Sequence, residues 1–398
     1  MHNKEKTPSR KVLFVHDGPI FFDEKGNYYG LHFNETLKNR YLHLGKEVAF
    51  LMRTKPIDIK DLGRFSKISS ENFRVIAFPD YKSIGLYFKN HKKAKRIITE
   101  AVLEHDVIVC RLPSASGSVA VKMARKYKKP SLVEYVACTF DAYWNYDWRG
   151  KLIAHYKMWQ QKRLMKKVPY TVYVTSEFLQ KRYPTNGQSI HCSNVELQPL
   201  NESTLENRLL KIEQTDFSRP LILGTVAALN VPYKGQADVI KAIAKLKVQG
   251  NVFHYHLVGT GNPEKLLQQA KKHDVTDLVK IIGPLKHDEV FGFLKEIDIY
   301  IQPSKQEGLP RAVIEAMSKA CPVLGARTAG IPELLEPEMI FKPGNIKEVS
   351  DKLRLLDKNI MRAQALRNFE EAKKYERVAL DKRRQEFYNH FIAEHFFD

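Results

Sequence analysis

The second half of the chain alternates short apolar runs with amphipathic stretches at a regular spacing. "PLILGTVA" precedes "KGQADVIKAIAKLKVQG", "FHYHLVG" precedes "PEKLLQQAKKHD", and "VKIIGPL" precedes "HDEVFGFLKEI". "DIYIQPS" then leads into "LPRAVIEAMSKA", and "CPVLGAR" into "IPELLE". Apolar runs of about four to eight residues, separated by helical patterns, indicate a parallel sheet covered on both faces. The pattern therefore predicts an α/β, doubly wound, Rossmann-like domain.

The first half repeats the theme. "KVLFVHDGP", "EVAFLMR", "FRVIAFPD", "DVIVCRLPS", "SLVEYVAC" and "YTVYVTS" read as strands, with helices between most of them. The stretch "ELQPLNESTLENRLLKIEQTDFSRP" is polar and has no strand pattern, which places a boundary near residue 197. Residues 1–196 and 197–372 are then two Rossmann-like domains. Residues 373–398 form a charged helix with Phe387 and Phe391 on one face, free to pack back on the first domain. Two such domains set the carboxyl ends of two parallel sheets across a central cleft, where ligands of open sheets bind.

Composition alters this little. Of 398 residues, 43% are hydrophobic and 28% charged, an ordinary balance for a globular chain. The opening "MHNKEKTPSR" lacks the apolar run of a secretory signal. No apolar stretch approaches the roughly 18 residues that a membrane span needs. Cys110, Cys138, Cys192 and Cys321 are scattered without ligand spacing and read as reduced, buried thiols of a cytosolic protein.

Charge changes more. The net charge of +20 is concentrated in residues 1–200, which carry 35 Lys and Arg against 18 Asp and Glu; the remainder carries 30 against 27. A polyanionic partner for the first half is expected, either an anionic membrane surface or nucleic acid. "IGLYFKNHKKAKRII" mixes Leu86, Tyr87 and Phe88 with Lys89, Lys92, Lys93, Lys95 and Arg96. That mixture suits either partner, or simply a solvated helix face. No helix-turn-helix or zinc reader motif supports nucleic acid.

The candidate chemistry centres on "EGLPRAVIE", where Glu307 and Glu315 frame a turn and a helix start. Glu307 follows the strand "DIYIQPS" and so lies at its carboxyl end, in the cleft. Gly308 permits close backbone approach, and Pro310 suits the first helical position. A helix starting near Leu309 presents unpaired N–H groups and a partial positive charge, a natural seat for a diphosphate. Glu315 sits among Val313, Ile314, Ala316 and Met317, where a carboxylate needs donors such as sugar hydroxyls.

The whole stretch "EGLPRAVIEAMSKACPVLGARTAGIPELL" closely resembles the donor-site signature of family-4 retaining glycosyltransferases, which have the GT-B fold. "GIPEL" at Gly330–Leu334, "VGTGNPEKL" and "IIGPLKHDEV" fall in that family's order. The resemblance covers residues 220–345. It implies that Glu307 contacts the transferred sugar, Glu315 the ribose, and the N–H groups of Gly308 and Leu309 the phosphates. It implies that Lys234 and Gly235, in "NVPYKG", neutralise the diphosphate leaving group. Pro284 and Leu285 match the turn that receives the base, and Gly30 the glycine loop beside the diphosphate.

Two departures stand out. Ala228 occupies the place of a second phosphate-binding arginine, for which Arg311 is a candidate substitute. Val136 or a neighbour stands where many members have a histidine, leaving Glu134 or Asp141 either to serve the acceptor or to be structural. With no D-x-D triplet and no His/Cys cluster, no metal or other cofactor is expected. The implied activity is that of a hexosyltransferase moving a sugar from a nucleotide-sugar, most often a UDP-sugar, to a lipid-linked or surface-polysaccharide acceptor. The resemblance favours an anionic membrane over nucleic acid for the basic half, with a cytoplasmic, peripheral location at the inner membrane face. The alternative is a basic membrane- or nucleic-acid-binding protein without catalysis.

Overall fold

The structure, a computed structural model, describes residues 9–30, 33–58, 65–80 and 84–397, with the side chains of all but 84–88. The apolar runs become strands. In the first domain these are β1 (Lys11–Phe22), β2 (Tyr28–Gly30), β3 (Glu47–Pro56), β4 (Ser66–Ile68), β5 (Phe73–Ala77), β6 (Val107–Leu112), β7 (Ser131–Tyr135), β8 (Tyr170–Tyr173) and β9 (Gln188–His191). They pair in the order β5-β3-β1-β6-β7-β8-β9, all parallel. The far end of β1, past a register shift between Val15 and Pro19, carries β2 antiparallel, and β2 carries β4. That small antiparallel extension has no counterpart in the sequence pattern, because its strands are too short to show a period.

The second sheet contains β10 (Leu221–Val226), β11 (Phe253–Val258), β12 (Val279–Gly283), β13 (Ile299–Gln302), β14 (Val323–Ala326) and β15 (Ile340–Phe341). Its order, β12-β11-β10-β13-β14-β15, is parallel throughout. Strand order reverses beside β10 and β13, and such switch points are where open α/β sheets bind ligands. The helix Glu202–Glu213 docks on this domain through buried Arg208, which donates to the carbonyls of Leu294, Ile297 and Lys319.

The helix Arg377–Phe396 packs back on the first domain, as its apolar face leads one to expect. Phe387 and Phe391 meet the Tyr170 ring at 5.4 and 5.1 Å, and Arg384 donates to the Ser193 carbonyl. One apolar core runs from beneath this helix into the second domain, and another fills the opposite face of the first sheet. All four cysteines are buried thiols.

Strands β6 and β7 are buried along their whole length, including Arg111 and Glu134. Arg111 donates from Nε and Nη2 to Glu134 Oε2 at 2.9 and 2.7 Å. Burial alone pushes the Glu134 carboxyl up, but Arg111, with Arg40 and Arg384 behind it, holds it below the usual range. Glu134 is therefore an internal partner of Arg111, the structural one of its two readings, and not an acceptor-side carboxylate. Glu134→Ala strands the Arg111 charge and is expected to destabilise the first domain by about 3–5 kcal/mol, read from the denaturant midpoint.

Candidate active site

The loop after β10 ends in the turn Pro232–Lys234, and Gly235 follows with φ 78°, starting the helix Gln236–Val248. A Cβ on Gly235 would overlap the Pro303 carbonyl oxygen, so backbone and space both require glycine. This close approach presses the β10 loop on the β13 loop. The Lys305 N–H donates to the Tyr233 carbonyl at 2.7 Å, and Lys305 Nζ pairs with Asp238 at 2.8 Å.

The consequence is a short ion pair across 73 sequence positions: Lys234 Nζ lies 2.7 Å from Glu307 Oε1. The same oxygen accepts from Gln302 Nε2 at 3.1 Å. Gln302 is held in turn by Tyr300, whose hydroxyl donates to Gln302 Oε1 at 2.6 Å, and by Ser304. Pattern reading passed over Gln302, although a glutamine inside the apolar strand "DIYIQPS" is the signal that marks it. A carboxylate with two fixed donors keeps one orientation, as a group that must meet a substrate requires.

Gly308 and Leu309 carry this loop against the other domain. A Cβ on Gly308 would overlap the Val136 carbonyl oxygen, and the Gly308 carbonyl accepts from Gly330 N–H at 2.9 Å. Leu309 packs on the cores of both domains. Glu333 accepts from the N–H groups of Ser176, Glu177 and Phe178 and from the Ser176 hydroxyl, and Asn145 Nδ2 donates to the Lys305 carbonyl at 3.1 Å. The loop bearing Glu307 is thus a meeting point of the two domains. The backbone of Val136, where a histidine was the family expectation, forms its opposite wall.

The helix beyond begins at Arg311, two residues later than the pattern predicts. Pro310 is its cap, with ψ at 114°, and not its first helical residue. Gly308 and Leu309 accordingly lie in the turn before the helix, whose dipole points its positive end toward them. Glu315 is buried in this helix, and His287 Nε2, at the start of the helix His287–Glu296, lies 3.4 Å from Glu315 Oε1. Pro284, exposed, and Leu285, half-buried, lie in the turn before that helix, separated from His287 by Lys286.

The hydrogen bond to Glu315 raises the His287 pKa against the opposing effect of burial. A raised histidine stabilises the folded state below its unfolded value of about 6.5, and the contribution disappears as pH climbs through the folded value. Glu315→Gln is expected to lower the His287 pKa in a proton NMR titration, with the low-pH part of the stability profile falling alongside. An unmoved His287 titration would contradict the pairing.

Other expectations fare differently. Gly30 ends strand β2, and a Cβ there would overlap the Phe33 carbonyl oxygen; it belongs to the first sheet and not to a loop at a helix start. The following helix, Glu35–Tyr41, is capped by Asn34 instead. Ala228 is half-buried, its carbonyl accepting from Gln236 at 3.0 Å, and Arg311 is exposed at the helix start. Asp141 lies 3.5 Å from Arg182, and burial raises its pKa while Arg182 works the other way. Among the described residues no three His, Cys, Asp or Glu side chains gather as a metal ligand set. Lys89, Lys92, Lys93, Lys95 and Arg96 are exposed on the helix Ile84–Glu104, whereas the side chains of Leu86, Tyr87 and Phe88 lie outside the described residues.

Residues 209–374 match the family described as Glycosyl transferases group 1. Over 358 residues the chain is 30% identical to protein CapJ of Staphylococcus aureus, covering 89% of this chain and 87% of that protein. Over 125 residues it is 38% identical to the amylovoran biosynthesis glycosyltransferase AmsK of Erwinia amylovora, about 30% of each chain. Among solved structures, Anabaena Alr3699/HepE in complex with UDP and glucose superposes with a TM-score of 0.65 at 16% identity, over 96% of this chain and 100% of that one. That likeness is one of fold, the GT-B arrangement of two facing Rossmann-like domains.

Proposed function

Because the chain belongs to the group 1 glycosyltransferases, we propose that it moves a hexosyl group from a UDP-sugar to a lipid-linked or surface-polysaccharide acceptor, with retention of anomeric configuration. The observation that carries this reading is the 2.7 Å pair of Lys234 and Glu307, set at the sheet's switch point beside a helix start. In the transfer, the C1–O bond to the diphosphate breaks, the acceptor oxygen bonds C1, and the acceptor proton leaves with the released UDP or to solvent. Negative charge grows on the departing phosphate oxygen, where a preorganised lysine contributes most. Lys234 takes that role, aided by the positive end of the helix Arg311–Ser318 and the backbone of Gly235, Gly308 and Leu309. Glu307 then meets hydroxyls of the transferred sugar, Glu315 the ribose, and Pro284 and Leu285 the base.

A cation and a helix end supply what a divalent ion would otherwise supply, so the reaction needs no metal. The support for UDP is the ligand named with Alr3699/HepE; that for polysaccharide assembly is the biosynthetic role in the name of AmsK. The acceptor side is the basic first domain, placed at the inner face of the cell membrane. No described helix is long and apolar enough to cross a membrane. Calorimetric titration with UDP, GDP and their sugars tests the donor site. Saturable binding of UDP, weakened by Glu315→Ala and unaffected by EDTA, is expected; binding of none of them would refute the reading.

A further inference from the structure

The helix Trp148–Met165 carries a surface that neither the fold nor the donor site uses. It buries Gly150, Ala154, Gln161, Leu164 and Met165 against the first domain. On its opposite side Trp148, Leu152, Tyr156 and Trp159 recur at spacings of four, four and three, which hold them in one stripe. All four face solvent, at 67%, 73%, 55% and 50% exposure. Just before the helix Tyr146 is 82% exposed. The chain has three tryptophans, and Trp144, Trp148 and Trp159 all belong to this segment. Large apolar side chains clustered on a surface mark a contact site.

The charges around the stripe say what covers it. Residues 148–167 contain seven Lys or Arg and no Asp or Glu. Arg149 lies over the Trp148 ring at 5.4 Å, Lys151 over Trp144 at 5.8 Å, and Arg163 over Trp159 at 4.8 Å, so cations share the face with the rings. A second copy of the chain would bring like charges together. Nucleic acid would stack on the rings and leave Leu152 and Ile153 without partners. An anionic bilayer accepts both: headgroups meet the cations, tryptophan and tyrosine sit at the interface, and Leu152 enters the acyl boundary.

We propose that this stripe docks the protein on an anionic lipid surface. The inference rests on the lipid-linked acceptor reading for its purpose. The patch adjoins the cleft, since Asn145 reaches the carbonyl of Lys305, in the loop that bears Glu307. Docking there sets the donor loop beside the plane in which a lipid-linked acceptor lies.

The test uses the full chain with phosphatidylcholine vesicles with and without phosphatidylglycerol. Because every tryptophan is in the patch, intrinsic fluorescence reports it alone. A blue shift with anionic vesicles only, and quenching by brominated acyl chains, is expected. Arg149→Gln/Lys151→Gln/Arg163→Gln should weaken co-sedimentation about a hundredfold, at roughly fivefold per basic side chain removed. Leu152→Ser/Tyr156→Ser, with an unchanged circular dichroism spectrum, should also lose binding. The proposal is overturned if these variants bind vesicles like the parent. It is equally overturned if Lys92→Glu/Lys93→Glu/Lys95→Glu alone abolishes binding, or if the stripe instead supports a dimer or an oligonucleotide complex. UDP titration of the same samples separates the two readings. Lost vesicle binding with intact UDP binding concerns the patch, and absent UDP binding concerns the donor site.

Discussion

Lys234→Ala is expected to lower kcat with a UDP-sugar by roughly a hundredfold or more, the scale set by removing one preorganised group from a developing negative charge. KM should move far less, because the lysine matters most when the phosphate departs. The parent pair is largely buried, with Glu307 also held by Gln302. Lys234→Ala therefore leaves Glu307 with a weaker donor set, and Lys234→Ala/Glu307→Gln should cost less than the two single losses combined. Steady-state kinetics of the three variants form the cycle. Additive losses would mean that the two side chains act independently.

Gly308→Ala is expected to reduce turnover by about a hundredfold, the penalty typical of a misplaced reacting geometry. The added methyl group meets the Val136 carbonyl oxygen, so the contact between the donor loop and the first domain opens. The effect falls on the loop and on closure and not on either domain's own core: circular dichroism should stay near parental, UDP binding should weaken because the displaced Gly308 N–H is the one proposed to face the diphosphate, and small-angle scattering should report a more open particle. Gly292→Ala is the control. A Cβ there meets nothing within 4 Å in the middle of the helix His287–Glu296, so activity should be kept. Parental turnover by Gly308→Ala would show that the close contact at Val136 plays no part in the reaction.

Both domains were legible in the chain because parallel strands buried on two faces read as continuous apolar runs. Glu307, Lys234 and Glu315 stood out through the motif they share with a known family, and the structure adds the 2.7 Å pair that spacing alone does not reveal. Glu134 stayed open between an acceptor role and a structural one for a physical reason. In a fully buried strand a polar residue carries no sign of whether it faces a cleft or a hidden partner, and here the partner is Arg111. Gly30 misled, since a glycine after a strand marks a tight approach without naming its target.

The stripe on the helix Trp148–Met165 escaped notice because that helix is apolar on both sides, so no face declares itself. Exposure is a property of the fold, and only the fold separates Leu152 outside from Leu164 inside. The lysine-rich segment 89–96 drew attention through composition, which counts charges but not their apolar neighbours in space. The meeting of Gly308 with Val136, and of Glu333 with Ser176 and Phe178, was likewise invisible to local patterns because it joins two domains.

Transfer with retention at the Lys234–Glu307 site, as proposed, is open to direct observation. Proton NMR of the anomeric signals during incubation with an α-linked UDP-sugar follows donor loss and the configuration of the first-formed product together. UDP release and an α-configured product are expected from the parent, with both rates collapsing in Lys234→Ala. An intact donor across the panel of UDP-sugars, or a first-formed β product, would contradict the proposal.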